Sequence, residues 1–172
     1  MNKRIIFFIS LVLLGSLVNT LGQGTIKFTN HDPKNNINAP VFTSAGVMLN
    51  SGYSAQLYYF NDIEYSPVGG VSAFRDNKQG YFNRLNITPE TFSFDSLMQV
   101  RAWENNDTFS TYEESQFRSL SDSFKLTYDP KKDEYLLTNL ETFYVYQIPE
   151  PSTLLYSFVG ILLLVGIKNR KK

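Results

Sequence analysis

"YSAQLYYF", residues 53–60, puts Tyr53, Ala55, Leu57 and Tyr59 on one side of an extended chain. Ser54, Gln56, Tyr58 and Phe60 fall on the other side. A two-residue period in an aromatic-rich run is the signature of a β-strand, since a helix would repeat its apolar residues every three or four positions. The same alternation recurs in "LMQVRAWE" (97–104), where Met98, Val100 and Ala102 form the core side and Gln99, Arg101 and Trp103 the opposite side. "TIKFT" (25–29) sets Ile26 and Phe28 against Thr25, Lys27 and Thr29. "DSFKLTY" (122–128) and "TFYVYQ" (142–147) alternate in the same way, and "APVFT", "GYFNRLNI" and "EYLLTN" are further candidate strands.

Turn formers punctuate these runs: Asp32-Pro33, Ser51-Gly52, Gly69-Gly70, Gln79-Gly80, Thr88-Pro89, Asn105-Asn106-Asp107 and Asp129-Pro130. No long stretch carries a helical period. "STYEESQFR" (110–118) is the one place where a short helical turn is expected, with Ser110 or Thr111 capping through Glu113 or Glu114. The strands follow too closely for intervening helices, which disfavours a parallel sheet. No repeat of fixed period points to a propeller or solenoid. The expected fold is all-β, a single antiparallel β-sandwich-like domain over residues 23–147.

Both ends of the chain differ from this middle. Residues 1–22 begin with Lys3 and Arg4, continue with an apolar run from Ile5 to Val18 and close on Thr20-Leu21-Gly22, the pattern of a secretory signal peptide. The 172-residue chain is formally neutral, yet residues 23–148 carry ten basic and fifteen acidic side chains, a net charge of −5. An acidic body with no basic cluster argues against a nucleic-acid partner. Cysteine is absent, so disulfides, thiol catalysis, an N-terminal lipid-modified cysteine and cysteine-based metal sites are excluded.

Residues 148–172 have three ordered parts. Pro149-Glu150-Pro151 comes first, and its prolines end any strand. An apolar stretch follows, expected as a short membrane helix over about residues 153–167, with Ser152 and Thr153 suited to cap it. Its fourteen positions from Leu154 to Ile167, apolar apart from Tyr156, Ser157, Gly160 and Gly166, give roughly 21 Å of helix at about 1.5 Å per residue against a hydrocarbon core about 30 Å thick. Lys168, Arg170, Lys171 and Lys172 close the chain, and such a tail stays cytoplasmic. This arrangement resembles the PEP-CTERM sorting signal. The resemblance implies recognition of Pro149, Glu150 and Pro151 by an exosortase, an integral-membrane protease of Gram-negative bacteria, with the basic tail retaining the precursor transiently in the inner membrane. It implies export, then transfer to the cell surface or extracellular matrix. "GTIKFTN", "APVFTSAGVMLNSGYSAQLYYF", "QVRAWE" and "TYEESQ" also resemble a recurrent body of such proteins, to which no activity is attached.

Signs of chemistry in the body are sparse. His31, the single histidine, falls in the polar stretch "TNHDPKNN" and is expected as an exposed loop residue. Glu104, Asp107, Glu113 and Glu114 crowd together in sequence, but their spacing is not that of a catalytic pair. Asn- and Asp-rich loops lack the ordered spacing of a calcium loop. No metal site, cofactor or catalytic residue is expected. The aromatics are more suggestive, because exposed rings on a sheet stack against sugars. Trp103 and Tyr58 are the candidate ligand-facing rings, Trp103 because it points away from Met98, Val100 and Ala102. The sequence therefore points to an exported, non-enzymatic surface or matrix protein. The alternative is a carbohydrate-binding module acting on exopolysaccharide.

Overall fold

The computed structural model of the protein describes residues 24–89, 93–105 and 111–149. The expected signal peptide and membrane helix lie outside these residues. Twelve strands run in chain order: β1 (Thr25–Phe28), β2 (His31–Asp32), β3 (Ile37–Asn38), β4 (Val41–Thr43), β5 (Tyr53–Phe60), β6 (Tyr65–Ala73), β7 (Leu85–Ile87), β8 (Met98–Glu104), β9 (Phe117–Leu120), β10 (Thr127–Asp129), β11 (Glu134–Leu136) and β12 (Phe143–Gln147). A 3-10 turn, Pro33–Asn35, joins β2 to β3. Among the described residues there is no α-helix, so the all-β expectation holds.

The strands form a six-stranded sheet in the order β4-β12-β9-β8-β5-β6 and a four-stranded sheet in the order β10-β11-β1-β7. β2 and β3 pair apart from both. The sheets are mixed rather than wholly antiparallel. β1 runs parallel to β11, with Ile26 opposite Tyr135, and β4 runs parallel to β12, with Phe42 opposite Tyr144. Each parallel pair joins segments from opposite ends of the chain, so no tight hairpin is needed to connect them.

The alternation read from sequence decides what faces inward. Ile26 and Phe28 of β1, Ala55 and Leu57 of β5, Met98, Val100 and Ala102 of β8 and Val145 of β12 are all buried in one cluster. That cluster draws on both sheets, with Ile87 and Leu137 contributed from the small-sheet side. Tyr53 and Tyr59 pack against its margin, sharing a face with Ala55 and Leu57. At its centre Phe82 stacks on Phe28 with ring centroids 4.5 Å apart and meets Phe74 edge-on at 5.7 Å. Such ring pairs add to the burial of apolar area.

Gly69-Gly70 is not a turn. It lies inside β6 at a bulge where the pairing of β5 slips: Ala55 faces Ser72, but Leu57 faces Val68. Gln56 alone thus stands opposite residues 69–71. Its side-chain amide donates to the Gly69 carbonyl at 3.0 Å, satisfying a group that the ladder leaves open. Gly69 has φ +71° and packs directly on Ile87 of β7. Just beyond, the Ser72 hydroxyl donates to Asn83 O, Asn83 N–H donates to Ala73 O, and Phe74 bridges to Phe82. The bulge and this short bridge form the seam that brings one edge of the large sheet to β7 of the small one.

A buried polar residue holds the adjoining loops. Asn30 is fully buried, and its amide donates to the carbonyls of Ala39 and Gly80 at 2.8 and 2.9 Å. Its carbonyl oxygen accepts from Phe82 N–H at 3.0 Å. Three stretches of chain, around residues 30, 39 and 80–82, are tied at one side chain whose polar atoms are all used.

Candidate functional site

The large sheet has a face turned away from the core, and the two aromatic candidates lie on it. β5 and β8 pair so that Tyr58 is opposite Gln99 and Ser54 opposite Trp103. β9 then sets Arg118 beside Trp103, and β12 sets Tyr146 beside Arg118. The sequence reading of this face was therefore correct in direction. It was not correct in exposure: Trp103 and Tyr58 are only 1% and 6% exposed. Neither ring is open for a sugar to stack on.

The covering layer comes from residues 111–118, the stretch with helical character. It makes one helix-type turn, Ser115 N–H donating to Thr111 O at 3.2 Å, and then extends as β9. Tyr112 of that turn meets Trp103 edge-on, ring centroids 6.2 Å apart. Arg101 inserts between the rings, its guanidinium 4.0 Å from the Tyr58 centroid and 5.0 Å from that of Tyr112. Glu113 pairs with Arg101 at 3.6 Å. Arg118 lies over Tyr112 and donates to the backbone carbonyls of Tyr112 and Glu113. Burial raises the phenol pKa of both Tyr58 and Tyr112, with the nearby Glu113 carboxylate adding and the arginines opposing. This is a packed cation–π layer, and its charges are occupied with each other.

The open aromatic surface lies farther along the same face. Tyr144 and Tyr146 of β12 are exposed, opposite in facing to the buried Phe143 and Val145. Phe42 of β4 stacks on Tyr144 with ring centroids 5.6 Å apart and an interplanar angle of 26°. A second stack, Phe94 on Tyr135 at 3.7 Å and Tyr135 against Tyr128 at 4.9 Å, sits on the small sheet. The sequence signal for Tyr144 and Tyr146 was present in the alternation of "TFYVYQ".

His31 is half-buried rather than exposed, its ring tilted against Tyr81 with centroids 4.7 Å apart. Burial lowers its pKa, and the Lys78 ammonium adds to the effect. Next to it, Asp32 accepts from Lys27 and Asn35. Burial acts to raise the Asp32 pKa, but these hydrogen bonds outweigh it and the pKa ends below the usual value. Glu113 and Glu114 are exposed, and Asp107 falls outside the described residues. No group of three metal-ligating side chains assembles among the described residues.

The Pro149-Glu150-Pro151 triplet begins just beyond the end of the large sheet. β12 stops at Gln147, opposite Phe117 of β9, and Ile148 N–H makes one more bond, to Gln116 O at 2.7 Å. Pro149 follows at once and is exposed. Glu150, Pro151, Lys168, Arg170, Lys171 and Lys172 lie outside the described residues. Among the described residues no helix is long and apolar enough to cross a membrane. Comparison with protein-family models, curated proteins and solved structures finds no match to this chain.

Proposed function

We propose that the chain is an exported, non-enzymatic surface or matrix protein, sorted by an exosortase-type membrane protease that recognises Pro149-Glu150-Pro151. The N-terminal segment directs export across the inner membrane of a Gram-negative cell. The apolar C-terminal segment and its basic tail hold the precursor there until processing. The observation that supports this reading is the position of Pro149, two residues past the end of β12 and exposed. A protease recognising the motif would reach Pro149 beyond the sheet without dismantling the core. Replacing the triplet (Pro149→Ala, Glu150→Ala, Pro151→Ala) should leave full-length protein in the inner membrane. Normal processing of that variant would remove the sorting reading.

A second reading, exopolysaccharide binding, is supported by the exposed rings of Tyr144 and Tyr146 beside Phe42. It moves the stacking surface from Trp103 and Tyr58 to β12 and β4. The double variant Tyr144→Ser, Tyr146→Ser should lose retention on the cell's own exopolysaccharide in a pull-down while melting as the parent does. Undiminished retention would exclude this platform.

A further inference from the structure

We infer that, in the anchored precursor, one end of the large sheet rests on the bilayer through Val47, Tyr146 and Ile148. This inference rests on the C-terminal anchoring reading. The strand directions define the end. β12 leaves it, and β4, parallel to β12, points the same way. The turn after β4 projects beyond Thr43, closed by Thr43 N–H to Val47 O at 2.7 Å and Gly46 N–H to Thr43 O at 2.9 Å. Ser44 N–H bonds Val145 O, which clamps the turn to β12. Val47, Tyr146 and Ile148 are thereby brought to one end, 60%, 53% and 40% exposed. Apolar exposure alone would not choose this end, since Ile63 and Leu97 are exposed at the other. The chain exit chooses it.

Reach makes the choice strict. Five residues, 149 to 153, separate Ile148 from the apolar run that begins at Leu154. Fully extended at about 3.5 Å each, they span roughly 20 Å. The headgroup layer takes about 5–8 Å of that, the difference between whole-bilayer and hydrocarbon thickness divided between two sides. That leaves at most about 12–15 Å between Ile148 and the headgroups, about half the added distance to Ile63. Ile63, in the β5–β6 hairpin, is farther off by the eight residues of β5, roughly 26 Å at about 3.3 Å per residue. Tyrosine suits the bilayer interface because its ring is apolar and its hydroxyl wet. Exposed Glu113 and Glu114 stand on the turn preceding β9 at the same end, so the partner fitting this surface is an uncharged, zwitterionic lipid interface rather than an anionic one.

The test uses full-length precursor in phosphatidylcholine vesicles containing a brominated lipid. The chain has no cysteine, so Val47→Cys, Ile63→Cys and Leu162→Cys each give one site for an environment-sensitive fluorophore. The expected result is loss of emission at positions 47 and 162 and full emission at 63, unchanged by added salt. If position 162 is quenched while 47 emits like 63, the docking inference is overturned and anchoring stands. Emission at 162 as full as at 63 would overturn the anchoring reading, and the docking inference with it.

Discussion

Adding one methyl at residue 69 should destabilise the body more than its size suggests. Gly69 has φ +71°, a left-handed backbone that costs alanine roughly 1–2 kcal/mol. A Cβ there would stand 2.6 Å from both Cγ1 and Cδ1 of Ile87 and 2.8 Å from its Cγ2. Forcing a methyl into such a filled contact costs roughly 1–3 kcal/mol. The lower entropy of an unfolded alanine chain returns about 0.4–1 kcal/mol. The net expectation for Gly69→Ala is a loss of about 2–4 kcal/mol. For a body of about 125 residues, unfolding entropy of roughly 2.1 cal/mol/K per residue turns 3 kcal/mol into a fall in Tm of about 11 °C. Gly70→Ala is the matched control, because a Cβ at Gly70 meets nothing within 4 Å and its φ is not positive. Its effect should stay within about 0.5 kcal/mol. Thermal melts of both variants, followed by near-ultraviolet circular dichroism, decide the matter. A Gly69→Ala midpoint indistinguishable from that of Gly70→Ala would refute the bulge-and-contact account of the seam.

Two further predictions concern buried polar groups. Asn30→Ala leaves the Phe82 N–H without its acceptor and the Ala39 carbonyl without the Asn30 donor, while Gly80 O keeps Val41 N–H. Orphaning buried groups of this kind should cost about 2–4 kcal/mol, read as a lower urea midpoint with unchanged slope. His31 binds a proton less readily when folded than the unfolded value of about 6.5. Its stability contribution is therefore complete above about pH 6.5 and is lost as pH falls below that through the folded pKa. The cause is burial first, then the Lys78 charge, with Arg75 adding, while a hydrogen bond with Asn38 and the Asp32 charge favour protonation; Nδ1 itself is buried with no partner among the described residues. Melting temperatures should fall between pH 7 and 5 less steeply in His31→Gln than in the parent, and parallel curves would contradict this.

The strands whose two faces differ strongly were legible in the sequence. Ile26 and Phe28, Ala55 and Leu57, Met98, Val100 and Ala102, and Phe143 and Val145 all face inward as their spacing required. β6 was hidden because its Gly69-Gly70 pair is also a mark of a turn, and only the slip against β5 reveals a bulge. β9 was hidden because Arg118 and Ser119 give no apolar alternation and the preceding turn has helical capping residues. The parallel pairs, β1 with β11 and β4 with β12, depend on contacts between distant segments that no local period encodes. Trp103 was placed on the right face but its burial depends on Tyr112 folding back over it, a tertiary event. Asn30 gave no signal at all: one polar residue after a strand usually marks a loop, and only its three partners show it to be a knot.

The central claim is that this β-rich body is exported and then separated from its C-terminal segment at the Pro-Glu-Pro motif. The most direct test is the intact mass of the protein recovered from the producing cell's surface or medium. The account predicts a species beginning near Gln23 and ending between Pro149 and Pro151, with any added mass reporting what it was attached to. A species that still carries Leu154 to Lys172 would contradict it and leave an ordinary membrane anchor in its place.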